Sequence, residues 1–332
     1  MVGRADTLST KFHSVPHCSR LVLEAGHRIR GSVRKTPLEN VSELYPVLPT
    51  NLFFKMENLQ ETGSFKLRGA TNKILSLTPE QARAGVIAAS NGNHGMGIAC
   101  AAQRAGIAAE VYVSDHVSDS KAQRIEERGA RICRAGIDPL DAELAARTAA
   151  ERSGKSFISP YNDMEVLAGQ GSIAVELLEQ LSPIDALFVA VGGGGLIGGI
   201  GSFMKSASPA TEIVGCWPQN SPVLYESIKA GRIIDVPEKP TLSESTAGGL
   251  EPESITLEVC RQVIDRSVLV SEDEILSAMR EVRVAKGWLI EGAAGVALAG
   301  FLQIAGRYKD KNIVVVICGG NLSEAVQARL NS

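Results

Sequence analysis

Four successive glycines, Gly192-Gly193-Gly194-Gly195, close an apolar run and open Leu196-Ile197-Gly198. Such a string lets the backbone curl until successive N–H groups point inward, a nest that fits a phosphate. The same residues satisfy GxGxxG through Gly193, Gly195 and Gly198, the dinucleotide fingerprint. That reading needs an acid about 20 residues on, at the end of the next strand, to hold a ribose. The next strand ends in Cys216-Trp217-Pro218-Gln219, with Glu212 ahead of it, so the acid is missing. A packing turn is the plain alternative. A second set, Thr62-Gly63-Ser64-Phe65-Lys66-Leu67-Arg68-Gly69-Ala70, puts Lys66 among small and apolar residues with Arg68 two along. A desolvated lysine near another cation has a lowered pKa, which suits Schiff-base chemistry; a solvated lysine at a helix start fits as well. In Ser90-Asn91-Gly92-Asn93-His94-Gly95 the Ser, Asn and His can donate several hydrogen bonds to a carboxylate. An ordinary N-cap with an asparagine turn would read the same way. Finally, Cys318-Gly319-Gly320-Asn321 closes the run 313–317, where a lone cysteine is usually a small buried hydrophobe.

The elements that must position these residues follow from periodicity. Short β-branched runs alternate with longer amphipathic ones: 85–89 then 94–104, 110–113 then 118–128, and 185–191 then 196–205. The pattern continues with 213–217, 268–270 then 272–286, and 313–317 then 323–330. Alternating strand and helix predicts a parallel sheet covered by helices on both faces. Ser271 with Glu274 and Thr78 with Gln81 make capping boxes, the latter with Pro79 at the first helical position. The strand, polar turn and small-residue helix of 86–102 is echoed by 187–203. Such turns lie at the carboxyl ends of parallel strands, where ligands bind, and the following helix offers free N–H groups to an anion. Two of them can hold two anionic groups of one molecule.

Composition bounds the function. The chain has 332 residues with 44% hydrophobic and 21% charged, enough apolar surface for a large core and about two domains. Its 33 glycines exceed the soluble average of roughly 7%. Net charge is −3, which argues against a nucleic acid or an anionic membrane as partner. The uncharged stretch 186–204 carries seven glycines between 192 and 201, so it reads as strand, turn and buried helix rather than a membrane span. The first twenty residues carry Arg4, Asp6, Lys11, His13, His17 and Arg20 with no apolar run. They predict a polar, loosely ordered extension and no signal peptide. Six scattered cysteines without a CxxC pair suit free thiols in a cytoplasmic setting.

The joint pattern is more specific than its parts. Lys55-Met56-Glu57-Asn58-Leu59-Gln60-Glu61 leading into the Lys66 motif, Gly92-Asn93-His94, Ala168-Gly169-Gln170-Gly171, the four glycines, Ile290-Glu291 and Cys318-Gly319-Gly320-Asn321 stand in a telling order. They resemble the fold-type II pyridoxal-phosphate enzymes, in the threonine/serine dehydratase and serine racemase branch, over roughly residues 20 to 330. The resemblance implies an α/β fold like tryptophan synthase β, with twisted, mostly parallel sheets flanked by helices. It implies a large cofactor-binding domain from residues 1–84 and 161–332 and a small one from 85–160, a homodimer, and no C-terminal regulatory domain.

It further implies that Lys66 holds pyridoxal 5'-phosphate covalently and acts as the base on Cα, with Phe65 beside the ring. Gly192, Gly193, Gly194 and Gly195 would hold the phosphate, and Asn93 would bond the ring hydroxyl. Ser90, Asn93 and His94 would take the substrate carboxylate, and Cys318 would face the pyridine nitrogen. A neutral thiol cannot keep that nitrogen protonated as an aspartate would, so prompt loss of a β-hydroxyl is favoured over a long-lived carbanion. The implied reaction removes water from serine, threonine or a bulkier analogue such as phenylserine, giving a 2-oxo acid and ammonia.

Two departures sharpen this. Racemases of the branch carry a serine just before Gly-Asn-His to protonate the face opposite the lysine; here Asn91 lacks a suitably acidic proton. Their divalent-metal site uses a glutamate where this chain has Trp217, and only His13 and His17 have ligand-like spacing. No metal is expected. A racemase is the nearest rival, a dinucleotide oxidoreductase rests on GxGxxG alone, and a non-catalytic amino-acid-binding relative would have no need of Lys66.

Overall fold

The computed structural model describes residues 14–331, and its strands form two sheets. In chain order they are β1 Leu38–Asn40, β2 Asn51–Met56, β3 Val86–Ala89, β4 Ala109–Val113 and β5 Arg131–Arg134. There follow β6 Ser156–Phe157, β7 Ala186–Ala190, β8 Glu212–Pro218, β9 Arg266–Val270 and β10 Asn312–Ile317. The larger sheet runs β1-β2-β10-β7-β8-β9 and the smaller β5-β4-β3-β6. All pairings are parallel except β1 with β2 at one edge, so the expected parallel alternation is correct but divides between two sheets.

The central strands explain why their sequences are continuous apolar runs. Every residue of β7 is buried, as is β10 from Ile313 to Ile317, because helices cover both faces of a parallel sheet. The helix Gly292–Ile304 lies on β7, β8 and β10, and Gly195–Ala207 on β7. Burying the aromatic pair Phe188 and Phe301, edge to face at 5.4 Å, adds to this core. A separate cluster under the small sheet contains Val86, Ile98, Val111, Val113 and Ile125.

Local signals set the helix ends. Both capping boxes form, Thr78 with Gln81 and Ser271 with Glu274. One expectation fails: residues 15–20 are not a loose extension but the start of a helix, Val15–Arg28. Cys18, Val22 and Ala25, spaced four and three apart, put one buried stripe on it. Residues 1–13, His13 among them, lie outside the described residues. Short or edge strands β1, β5 and β6 and the helices Met164–Gln180 and Ile255–Val263 had no clean period to announce them.

The chain enters the small sheet after the helix Pro79–Ala84 and leaves it through 158–163, into the helix Met164–Gln180. That helix packs on Lys66–Leu75. Among the described residues no helix is long and apolar enough to cross a membrane, no His/Cys/Asp/Glu group could hold a metal ion, and all six cysteines are free.

Candidate active site

Lys66 is aimed by a zipper between two loops. β2 pairs with β10 up to Met56 opposite Ile317, and the chain beyond each strand continues the contact. Phe65 N–H donates to the Cys318 carbonyl at 3.0 Å, Ser64 bridges Gly319, and Gly320 N–H donates to the Gly63 carbonyl at 3.0 Å. This fixes the first residue of the helix Lys66–Leu75 above Cys318. Behind it, Arg68 is fully buried and donates to Glu57 at 2.7 and 2.8 Å and to Glu176 at 2.7 and 2.9 Å. Lys55 joins them on Glu176 at 2.6 Å.

The Lys66 ammonium donates to the Pro160 carbonyl at 3.0 Å and lies 5.1 Å from the centre of the Phe65 ring. Desolvation pulls its pKa down to about 8, against the opposing charge of Glu291. The expected low pKa is present, but its expected second cause is not. Arg68 faces away into its own carboxylates, so burial rather than a neighbouring cation acts on Lys66.

The glycine turn packs against Tyr161, the residue after Pro160. Gly194 has φ +86°, a left-handed conformation that favours glycine, and Gly195 begins the helix Gly195–Ala207. A Cβ on Gly193 would stand 2.4 Å from the Tyr161 ring. Pro160 therefore touches the lysine and Tyr161 the turn, which brings the cation and the nest to one cleft.

Opposite them, Asn93 is held at both ends. Its Nδ2 donates to Glu291 at 2.9 Å, and its Oδ1 accepts from Asn321 at 2.8 Å. Glu291 also accepts from Ser245 at 3.0 Å and from the Cys318 thiol at 3.8 Å. Burial raises the Glu291 pKa. Cys318 is raised well above the ordinary thiol value, by burial first and then by the Glu291 charge, so it is the neutral thiol expected.

His94 behaves otherwise than its motif suggests. Its Nε2 lies 3.0 Å from the Ile158 carbonyl, so Nε2 carries the proton, and Nδ1 has no partner. Burial, with the Lys66 charge, lowers its pKa to about 3. The imidazole is neutral and its one N–H is spent; only the backbone N–H, at the start of the helix Asn93–Ala105, remains to meet an anion. Ser90 Oγ accepts from Gly92 N–H at 3.1 Å. Asn91 is half-buried and engaged by Ser114, exchanging hydrogen bonds with it at 3.0 and 3.1 Å.

Thus Lys66, Phe65, Cys318 and Asn93 meet through direct contacts or one intervening residue, and the glycine turn joins them through Pro160 and Tyr161. Ser90 and His94 flank them on the small-sheet side. Sequence reasoning left Glu291 without a role, although a lone acid in Trp288-Leu289-Ile290-Glu291-Gly292-Ala293 is a visible anomaly. Pro160, Tyr161 and Ser245 carried no signal at all.

The donor set suits a phosphorylated aldehyde: a desolvated amine, a turn too tight for any Cβ, and buried polar atoms without partners at Ser64 Oγ and His94 Nδ1. A family model described as pyridoxal-phosphate dependent enzyme matches residues 29–319. The chain belongs to the pyridoxal-phosphate-dependent enzymes. Among relatives of this family, an L-threonine ammonia-lyase of Thermotoga maritima is 38% identical over 301 residues, 91% of this chain and 75% of that protein. The processed form of threonine deaminase isoform 2 from Solanum lycopersicum superposes with a TM-score of 0.91 at 31% identity, covering 99% of this chain and 93% of that one. Maize serine racemase follows at 0.87 and 29% identity, over 93% and 95%. The fold is therefore that of the fold-type II members, as the motifs implied.

Proposed function

We propose that this enzyme removes water from L-threonine, L-serine or a larger β-hydroxy amino acid, giving a 2-oxo acid and ammonia. The observation that carries the reading is a buried, neutral thiol at Cys318 facing a desolvated lysine across one cleft. Similarity to an L-threonine ammonia-lyase and a threonine deaminase supports it.

When bound, pyridoxal phosphate supplies an electron sink that acidifies the substrate Cα–H. The chain does the rest. The N–H groups of Gly192, Gly193, Gly194 and Gly195 hold the phosphate, and the Phe65 ring packs beside the cofactor. Lys66, with a pKa of about 8, is neutral in a useful fraction near pH 7.5 and can accept the Cα proton, which then goes to the departing β-hydroxyl so that water leaves. Asn93, locked by Glu291 and Asn321, offers its remaining Nδ2 hydrogen and so meets the ring oxygen as a donor. The Ser90 hydroxyl, with the backbone N–H groups of Asn93 and His94, takes the substrate carboxylate. In this reading the His94 contribution is its main chain, because its side chain is already engaged.

Racemisation is the second reading, favoured by the likeness to maize serine racemase. It requires an acid on the face opposite Lys66. Asn91 is a carboxamide tied to Ser114, which leaves that face without one. We further read the chain as a cytoplasmic homodimer, on its family likeness; sedimentation at the single-chain mass would refute the dimer. The deciding experiment is direct. Purified protein should be yellow and should release 2-oxobutyrate from L-threonine or pyruvate from L-serine, and Lys66→Ala should lose both colour and turnover. Appearance of D-serine without 2-oxo acid would make it a racemase instead.

A further inference from the structure

Of five consecutive residues at the exit from the small sheet, three touch different parts of the site and two turn the other way. Ile158 accepts from His94 Nε2 at 3.0 Å, and Pro160 accepts from Lys66 Nζ at 3.0 Å. Tyr161 lays its ring against Gly193, where a Cβ would stand 2.4 Å from it, and its Cα and Cβ against Gly195, where a Cβ would stand 3.1 Å away. The two residues between and after, Ser159 and Asn162, reach outward to one carboxylate. Ser159 Oγ donates to Glu251 Oε1 at 2.5 Å, and Asn162 Nδ2 donates to Glu251 Oε2 at 2.9 Å. Arg147, from the helix Pro139–Ser153 that packs on β3 and β4, pairs with Glu251 Oε2 at 2.5 Å. The Glu251 backbone N–H donates to the Tyr161 hydroxyl at 2.8 Å. Glu251 itself stands in the loop between the helices Val223–Ala230 and Ile255–Val263. Earlier in that loop Thr246 lies against Gly192 and Ser245 donates to Glu291.

We propose that Glu251 is a positioning residue for the cofactor. By gathering Ser159, Asn162 and Arg147 on one carboxylate, it sets the shape of 158–162. That shape aims the Pro160 carbonyl at Lys66 and presses Tyr161 under the phosphate turn. A carboxylate that accepts two hydrogen bonds and pairs with a guanidinium makes charge-assisted contacts stronger than neutral ones. It also joins a loop beside the large sheet to a helix of the small one, so both walls of the cleft are held in one register. This goes beyond the assignment of the reaction and rests only on the chain binding pyridoxal phosphate.

The test compares purified holoenzyme with Glu251→Ala, Glu251→Gln and Arg147→Met. The pyridoxal phosphate dissociation constant is read from visible absorbance, and kcat and KM are read with L-threonine. Glu251→Ala should weaken the cofactor about tenfold, the size expected for losing buried hydrogen bonds to a charged group. Its kcat should fall while KM for threonine changes less than the cofactor affinity, because only Ile158 of this segment touches a carboxylate-binding residue, His94. Glu251→Gln keeps one acceptor oxygen for Asn162 Nδ2 and can turn its NH2 to the Ser159 hydroxyl, which then accepts, so it should recover part of the cofactor affinity, which a general loss of stability would not. Should Glu251→Ala fail to fold, Arg147→Met, whose side chain is part-exposed, still loosens the carboxylate and should weaken the cofactor about threefold. Unchanged cofactor affinity in the folded variants overturns the proposal. Weakened cofactor binding in a protein that releases no 2-oxo acid would sink the assigned reaction and leave this role standing.

Discussion

At the residue scale the cleft is a set of titrating groups moved from their usual values, each for a nameable reason. Lys66 is lowered to about 8 by desolvation, so cofactor capture by cofactor-free protein should speed up from pH 7 to about 9 and then level. An ordinary lysine would go on accelerating toward 10.4, and stopped-flow absorbance would tell the two apart. The same shift has a stability consequence. The charged form is disfavoured in the folded chain, so the cost is complete below pH 8 and vanishes as pH approaches the unfolded value. Lys66→Met should therefore stabilise the cofactor-free protein at pH 7, by on the order of 2 kcal/mol, and do nothing near pH 10.5. Chemical denaturation at the two pH values measures it. His94, held near 3, stays neutral throughout and should add no limb near pH 6.5 to the rate profile.

At the scale of elements, two features carry the geometry. The turn Gly192-Gly193-Gly194-Gly195 works because nothing projects from it toward Tyr161. Gly193→Ala, with a Cβ 2.4 Å from that ring, should cost about 1–3 kcal/mol through overpacking and weaken the cofactor in an absorbance titration. The helix Lys66–Leu75 is seated from behind by Arg68 on Glu57 and Glu176. Arg68→Met leaves two buried carboxylates with only Lys55 nearby and should lower stability by about 3–5 kcal/mol in urea unfolding. The contrast between these elements shows what a sequence can disclose. The glycine turn, both capping boxes and the strands β7 and β10 were legible, because chirality, capping and burial on both faces leave local signatures. The Arg68 cluster was misread as a neighbour of Lys66, since spacing along a chain does not say which way a side chain turns. Tyr161, Glu251 and Ser245 were invisible: each acts through a partner 32 or more positions away, on residues of ordinary type.

At the scale of the whole molecule, the cleft belongs to neither sheet alone. Lys66, Cys318 and the glycine turn come with the large sheet, while Ser90, Asn93 and His94 open the β3-side helix of the small one. We propose 85–160 as the smaller domain on this division. The order β1-β2-β10-β7 has a consequence in time as well as in space. The strand that separates β2 from β7 is residues 312–317, so the first two strands have no seat in the sheet until those residues have been made. During synthesis, at about 5–20 residues per second, the small sheet can close early while the Lys66 loop waits for its zipper at 318–320. The catalytic centre then closes later than the small sheet, although Lys66 is made first. A nascent chain arrested before residue 312 should stay colourless in pyridoxal phosphate, and one allowed past residue 321 and clear of the ribosome should turn yellow.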